Sequence, residues 1–232
     1  MIHQKSYTKQ FVALSFVLIF LLLVNISFGS VSIPFSEIIE ILLGGDSSKS
    51  SWDLIVIHFR LPKAITAILV GSGLAISGLL MQTLFRNPLA GPFVLGISSG
   101  ASLGVALLIL GSGVFGGFLT TITFSSWGLA IASSLGAALV LLAVLITANK
   151  VRNTMSILII GLMFGTVTSA IISILTFFSD AEKIQQFIFW SFGSLGNLSW
   201  NEVLVFFLIY LVGMLSLLGV IAGLSSISDN WS

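Results

Sequence analysis

The sequence is dominated by runs of apolar residues long enough to cross a lipid bilayer, near 11–28, 63–82, 93–112, 126–148, 155–178 and 201–222. A helix rises 1.5 Å per residue, so about 20 apolar residues cover the roughly 30 Å hydrocarbon layer. Only helices and closed barrels satisfy every backbone polar group at that depth, and a barrel strand needs about ten residues of alternating polarity. These runs are continuous. The sequence therefore predicts an all-α, polytopic transmembrane helical bundle of about six spanning helices, in one domain over 1–232. Soluble domains carry about 25% charged residues; this chain has 7%, against 56% hydrophobic, so a water-facing surface is excluded.

The same scarcity of charge narrows the function classes. A net charge of +1 with scattered cations gives no footprint for nucleic acid. The absence of cysteine excludes disulfides and thiol catalysis, and His3 and His58, the only histidines, are too far apart in sequence to form a metal site by themselves. The first run follows Lys5 and Lys9 but reaches spanning length without a small-x-small cleavage site, which predicts a retained helix rather than a signal peptide. Lys150 and Arg152 in the short 149–153 loop mark a cytoplasmic side, while Glu37, Glu40, Asp46, Asp53, Asp180 and Glu182 gather in the other segments. This bias places the N-terminus in the cytoplasm. On the outer side, Ser36 is expected to cap a short amphipathic helix over 37–43 that stops at Gly44-Gly45. Trp190 and Trp200 read as interfacial anchors.

Small residues recur four apart: Ala67, Gly71 and Ala75; Gly96, Gly100 and Gly104; Gly128, Ala132 and Gly136; Gly161, Gly165 and Ser169. Such rows let helix backbones approach closely where lipid supplies no hydrophobic drive. Gly96-Ile97-Ser98-Ser99-Gly100 also spells G-x-S-x-G, which keeps an intramembrane serine hydrolase centred on Ser98 as an alternative. That chemistry needs a base, and none of the runs carries a histidine or an acid. No G-x-x-x-x-G-K loop is present, so any ATP hydrolysis belongs to another subunit.

Two polar clusters punctuate the hydrocarbon. Arg60 and Lys63 flank Pro62, whose missing N–H suits the first turn of a helix. Both cations then stand at the outer mouth, as snorkelling side chains or as a docking point for an acidic partner. Arg86-Asn87-Pro88 turns the chain on the inner side, a structural corner and a candidate contact for a cytoplasmic partner.

The stretch from Phe59-Arg60-Leu61-Pro62-Lys63 through Gln82 and Arg86-Asn87-Pro88-Leu89-Ala90 to Ala101, supported by 29–34, 158–161 and 190–195, resembles the FecCD family. Its members are permease subunits of bacterial importers for iron–siderophore complexes, haem and cobalamin. The resemblance implies a multi-pass protein of the bacterial cytoplasmic membrane with no catalytic site, cofactor or metal of its own. A second permease subunit, a pair of cytoplasmic ATPases that consume the ATP, and an extracytoplasmic binding protein are the implied partners. It also implies that Arg60 and Lys63 dock the binding protein, and that the fifth run lines the path, where Thr166, Ser169 and Ser173 supply polarity. Gly71, Gly96, Gly100, Gly104, Gly161 and Gly165 remain packing positions. Family members have about ten spanning helices, so the expectation is a permease for an iron(III)-siderophore or related metal chelate whose C-terminal helices are missing, or a non-transporting fragment.

Overall fold

The computed structural model describes residues 7–45, 47–111, 125–151, 153–196 and 198–229. Arg152 and Asp46, two of the charges used to orient the chain, lie outside them. The described residues form helices and turns without a strand: α1 (Thr8–Ser27), α2 (Phe35–Leu42), α3 (Ser50–Phe85), α4 (Ile97–Ile109), α5 (Ser126–Ala148), α6 (Thr154–Phe177), α7 (Ala181–Phe192) and α8 (Trp200–Asp229). Among them α1, α3, α5, α6 and α8 are long and apolar enough to cross a membrane. The chain divides into two compact units, residues 1–73 with 195–232, and residues 74–194.

In the first unit, α1 packs its C-terminal turn and leaves most of its length uncovered. Ile26, Ile33, Ile38, Ile41, Val56 and Ala64 form a buried cluster, with Leu22, Trp52, Ile55 and Leu61 against it. α2 starts at Phe35, two residues before the expected 37, with Pro34 rather than Ser36 as its N-cap; proline has no N–H to lose and its φ of −57° suits a helix entry. It ends as expected: Gly44 is left-handed at φ 82°, and the Gly45 and Gly44 N–H groups donate to Glu40 and Ile41 carbonyls. This is a Schellman closure.

α3 departs from expectation. It begins at Ser50, so Pro62 lies inside the helix rather than in its first turn. A proline there removes a hydrogen bond and clashes with the preceding turn. The chain answers with a π-helical turn over Val56–Arg60, where the Leu61 N–H reaches back five residues to the Val56 carbonyl. The wider turn also keeps Val56, Arg60 and Ala64 on one buried side, where four-residue steps in an α-helix would drift by about 40° each.

In the second unit, the run expected to span from 93 to 112 yields a shorter helix. Pro92–Leu95 form a 3₁₀ turn, Gly96 takes φ 74°, and α4 then runs only 13 residues from Ile97 to Ile109. What it lacks in length it gains in packing. A Cβ on Gly100 would stand 2.6 Å from the Gly136 carbonyl oxygen and 2.9 Å from the Val140 side chain, and Gly104 lies equally tight against Ala132 and Gly136. Gly96 and Gly161 bring the start of α4 against α6 in the same way, Gly161 facing the Val94 carbonyl. The expected glycine rows are thus a seam between α4 and its neighbours. Gly71 is the exception: a Cβ there would meet nothing within 4 Å, so its expected packing role fails within the described residues.

Candidate functional site

At the π turn of α3 the sequence pairs Arg60 with Lys63, and the structure separates them. Arg60 is 8% exposed. Its Nη1 donates to the Ile26 carbonyl at 2.5 Å and the Ser27 carbonyl at 2.8 Å, and its Nη2 donates to the Val31 carbonyl. The last carbonyls of a helix have no internal donor, and a planar guanidinium with five N–H groups can serve several at once. Arg60 therefore caps α1 and fixes the turn that leads to α2. Lys63, one helical turn further, is exposed and remains the outward cation of the pair.

The π turn gives Trp200, read from the sequence as an interfacial anchor, a contact that sequence reasoning missed. The Ile57 carbonyl cannot use the Leu61 N–H, which is taken by Val56, and its next donor in line would be Pro62, which has no N–H. Trp200 supplies one instead, its indole Nε1 donating to the Ile57 carbonyl at 3.0 Å. Ten residues along α8, the Tyr210 hydroxyl donates to Ser72 Oγ at 3.0 Å. These two bonds run in the same chain direction on both helices, so α8 lies parallel to α3. The only available signal was Pro62 itself, which foretells an orphaned carbonyl but not its donor.

At the other end, Arg86-Asn87-Pro88 closes α3 by backbone alone. Arg86 is left-handed at φ 48°, unusual for a residue other than glycine. The Asn87 N–H donates to the Gln82 carbonyl at 3.2 Å and the Arg86 N–H to Thr83 at 3.4 Å, again the Schellman pattern. Asn87 Oδ1 accepts from the Leu89 N–H at 2.9 Å, and the Asn87 carbonyl accepts from Ala90 at 3.1 Å. The corner hangs between buried Phe85 and buried Ala90, with Arg86, Pro88 and Leu89 outside; Leu89 is 89% exposed.

On α6, Thr166, Ser169 and Ser173 share one uncovered face at i, i+3 and i+7, while Thr168 is buried on the other side. Each hydroxyl donates to a carbonyl of the preceding turn: Thr166 to Met163 at 2.7 Å, Ser169 to Gly165 at 2.9 Å, and Ser173 to Ser169 at 3.0 Å. The face thus offers oxygen lone pairs without charge. Ser98 stands in the first turn of α4, between a left-handed Gly96 and a tightly packed Gly100, so both glycines of the G-x-S-x-G spelling are accounted for by backbone geometry. Among the described residues no group of three or more His, Cys, Asp or Glu could hold a metal.

The model of the FecCD transport family matches residues 17–229. The chain is 35% identical over 159 residues to the vitamin B12 import system permease protein BtuC of an Escherichia coli strain, covering 68% of this chain and 46% of that one. It is 30% identical over 214 residues to the molybdate import system permease protein MolB of Haemophilus influenzae, covering 89% and 60%. A solved structure described as a metal-chelate type ABC transporter in an inward-facing conformation aligns with TM-score 0.72 at 28% identity, over 89% of this chain and 60% of the other. The chain spans about half the length of the curated relatives it matches.

Proposed function

The chain belongs to the FecCD transport family, and from that premise we propose that it acts as a transmembrane permease subunit of an ATP-binding-cassette importer for a metal chelate. It is a multi-pass helical protein of the bacterial cytoplasmic membrane. The strongest support for the reading is the alignment of its backbone with a metal-chelate type transporter over 89% of its length. The relatives import different cargo, vitamin B12 and molybdate by their names, and an iron(III)-siderophore is the cargo proposed here. With the N-terminus cytoplasmic, the α6 hydroxyls Thr166, Ser169 and Ser173 are assigned to the path, where neutral oxygens can hydrogen-bond a bulky chelate without trapping it. ATP is consumed by partner subunits.

The docking role is assigned to Lys63, while Arg60 holds the end of α1 and the turn after it. The inner corner at Arg86, Asn87 and Pro88 is assigned to contact with the cytoplasmic side of the assembly. A second permease subunit, ATPases and a binding protein complete the reading. The test is reconstitution in lipid nanodiscs with the ATPase and binding protein: a ferric siderophore on the binding protein is expected to raise ATP hydrolysis several-fold. No stimulation by any chelate, with all subunits assembled, would leave only a role in assembly.

A further inference from the structure

α8 reaches α3 through Trp200 and through Tyr210, and the two attachments differ in what is lost when they part. At the first, the Trp200 indole N–H donates to the Ile57 carbonyl at 3.0 Å. Parting there strands both groups, because the π turn gives the Leu61 N–H to Val56 and Pro62 has no N–H to offer. The start of α8 is fixed further by a capping contact, the Ser199 N–H donating to Glu202 Oε2 at 2.8 Å, and by Val203, which is 4% exposed. At the second, the Tyr210 hydroxyl donates to Ser72 Oγ at 3.0 Å. Ser72 does not depend on that bond. Its own proton is shared within α3 by the Ile68 carbonyl at 2.7 Å and the Leu69 carbonyl at 3.1 Å, so parting there strands only the phenol.

We infer that α8 pivots about Trp200 and that the Tyr210–Ser72 pair is a releasable catch holding it against α3. Nothing interlocks at the catch. A Cβ on Gly73 would stand 3.5 Å from the Tyr210 ring, an ordinary contact, whereas a Cβ on Gly100 in the α4 seam would stand 2.6 Å from the Gly136 carbonyl oxygen. The seam sets backbone against backbone; the catch is two side chains meeting at their hydroxyls. From Leu204 to Gly223 no residue of α8 is buried, so no buried cluster has to open when the catch lets go. Tyr210 stands about 15 Å along α8 from Trp200, and a rotation of about 10° at the pivot carries the phenol roughly 2.6 Å, out of hydrogen-bond reach of Ser72. The catch is independent of the cargo.

The chain has no cysteine, so paired spin labels can be placed in the full chain, in lipid nanodiscs, without removing any native site. Electron–electron double resonance would read one pair near the pivot, Leu54→Cys with Leu204→Cys, and one near the catch, Gly71→Cys with Val212→Cys, all at exposed positions. Tyr210→Phe keeps the ring and removes the donor; it should raise the longer-distance population of the catch pair about fivefold, the worth of one neutral hydrogen bond, and leave the pivot pair unchanged. Ser72→Ala should do the same by removing the acceptor, and the two substitutions together should do no more than either alone. Unchanged distances at the catch pair in both variants would overturn the inference. So would equal lengthening at both pairs, because the helix would then detach as a whole, and so would additive effects, because the two hydroxyls would then act apart.

Discussion

α3 carries two arginines beside helix termini, Arg60 at the end of α1 and Arg86 at its own, and the two solve the same problem by opposite means. A terminus leaves carbonyls without donors. Arg60 satisfies two of a different helix, α1, and one of the turn after it, with its buried side chain. Arg86 closes its own helix with a left-handed backbone, and its side chain is exposed. The same residue type is therefore a tertiary contact in one place and a local conformation in the other. Residue identity alone does not carry a role; what the backbone nearby leaves unsatisfied decides it.

The sharpest way to break this contrast is to remove both guanidinium groups in turn. Arg60→Met keeps the packed stem but strands three carbonyls, and unfolding in detergent should show a loss of about 2–4 kcal/mol. Arg86→Met should cost less than about 0.5 kcal/mol, the scale of an ordinary surface change. Equal losses would show that the two arginines act alike. Arg86→Gly tests the backbone half of the contrast: glycine takes positive φ freely, so this variant should gain up to about 1 kcal/mol by the same measurement. A loss of similar size would mean that the Arg86 side chain contributes after all.

Trp200→Phe keeps the ring and deletes the donor to Ile57, for an expected cost of about 0.5–1.5 kcal/mol. In a Pro62→Ala background the helix recovers an N–H, and the same substitution should then cost nothing; an unchanged cost would assign Trp200 to packing alone. For Lys63, Lys63→Glu is predicted to weaken binding-protein association several-fold at low salt, with the difference fading as salt screens it. Arg86→Glu should leave that association unchanged.

The smallest effect concerns Glu37. The Ser48 hydroxyl and the Ser48 N–H both donate to its carboxylate, the hydroxyl having the larger effect, and hold its pKa below the ordinary glutamate value. A pKa lowered on folding means that the stabilisation is complete above the unfolded value and is lost as pH falls through the folded one. The contact should therefore loosen as pH falls below the ordinary glutamate range, read as faster amide exchange at Ser48. Glu37→Gln should abolish the pH step.

The helical class was legible because hydrocarbon length is a one-dimensional signal, and the glycine seam was legible because its rows recur every four residues. The start of α3 was not. Pro62 reads as a first-turn residue by every local rule, and only the packed structure shows a helix that began twelve residues earlier and absorbed the proline in a π turn. Arg60 was singled out as an outward docking cation, and its capping role was not legible because its three acceptors lie 29 to 34 residues back in sequence. Trp200 and Ile57 are 143 residues apart. At such separations no periodicity links donor and acceptor, so the contact exists only once the chain has folded. The hydroxyls of α6 sit between these cases: their common face follows from helical spacing, while their exposure required coordinates.

The π turn at Val56–Arg60 also makes a statement about chain length. A hydrogen bond that reaches back five residues encloses one residue more than an α-helical bond does, so this turn stores a single surplus residue. Removing one residue between Val56 and Phe59, together with Pro62→Ala, would close the turn into regular α-helix while both flanks keep their facing. Anywhere else in α3 the same deletion would rotate one flank by about 100° relative to the other. Along α3 these few positions form a built-in gap allowance.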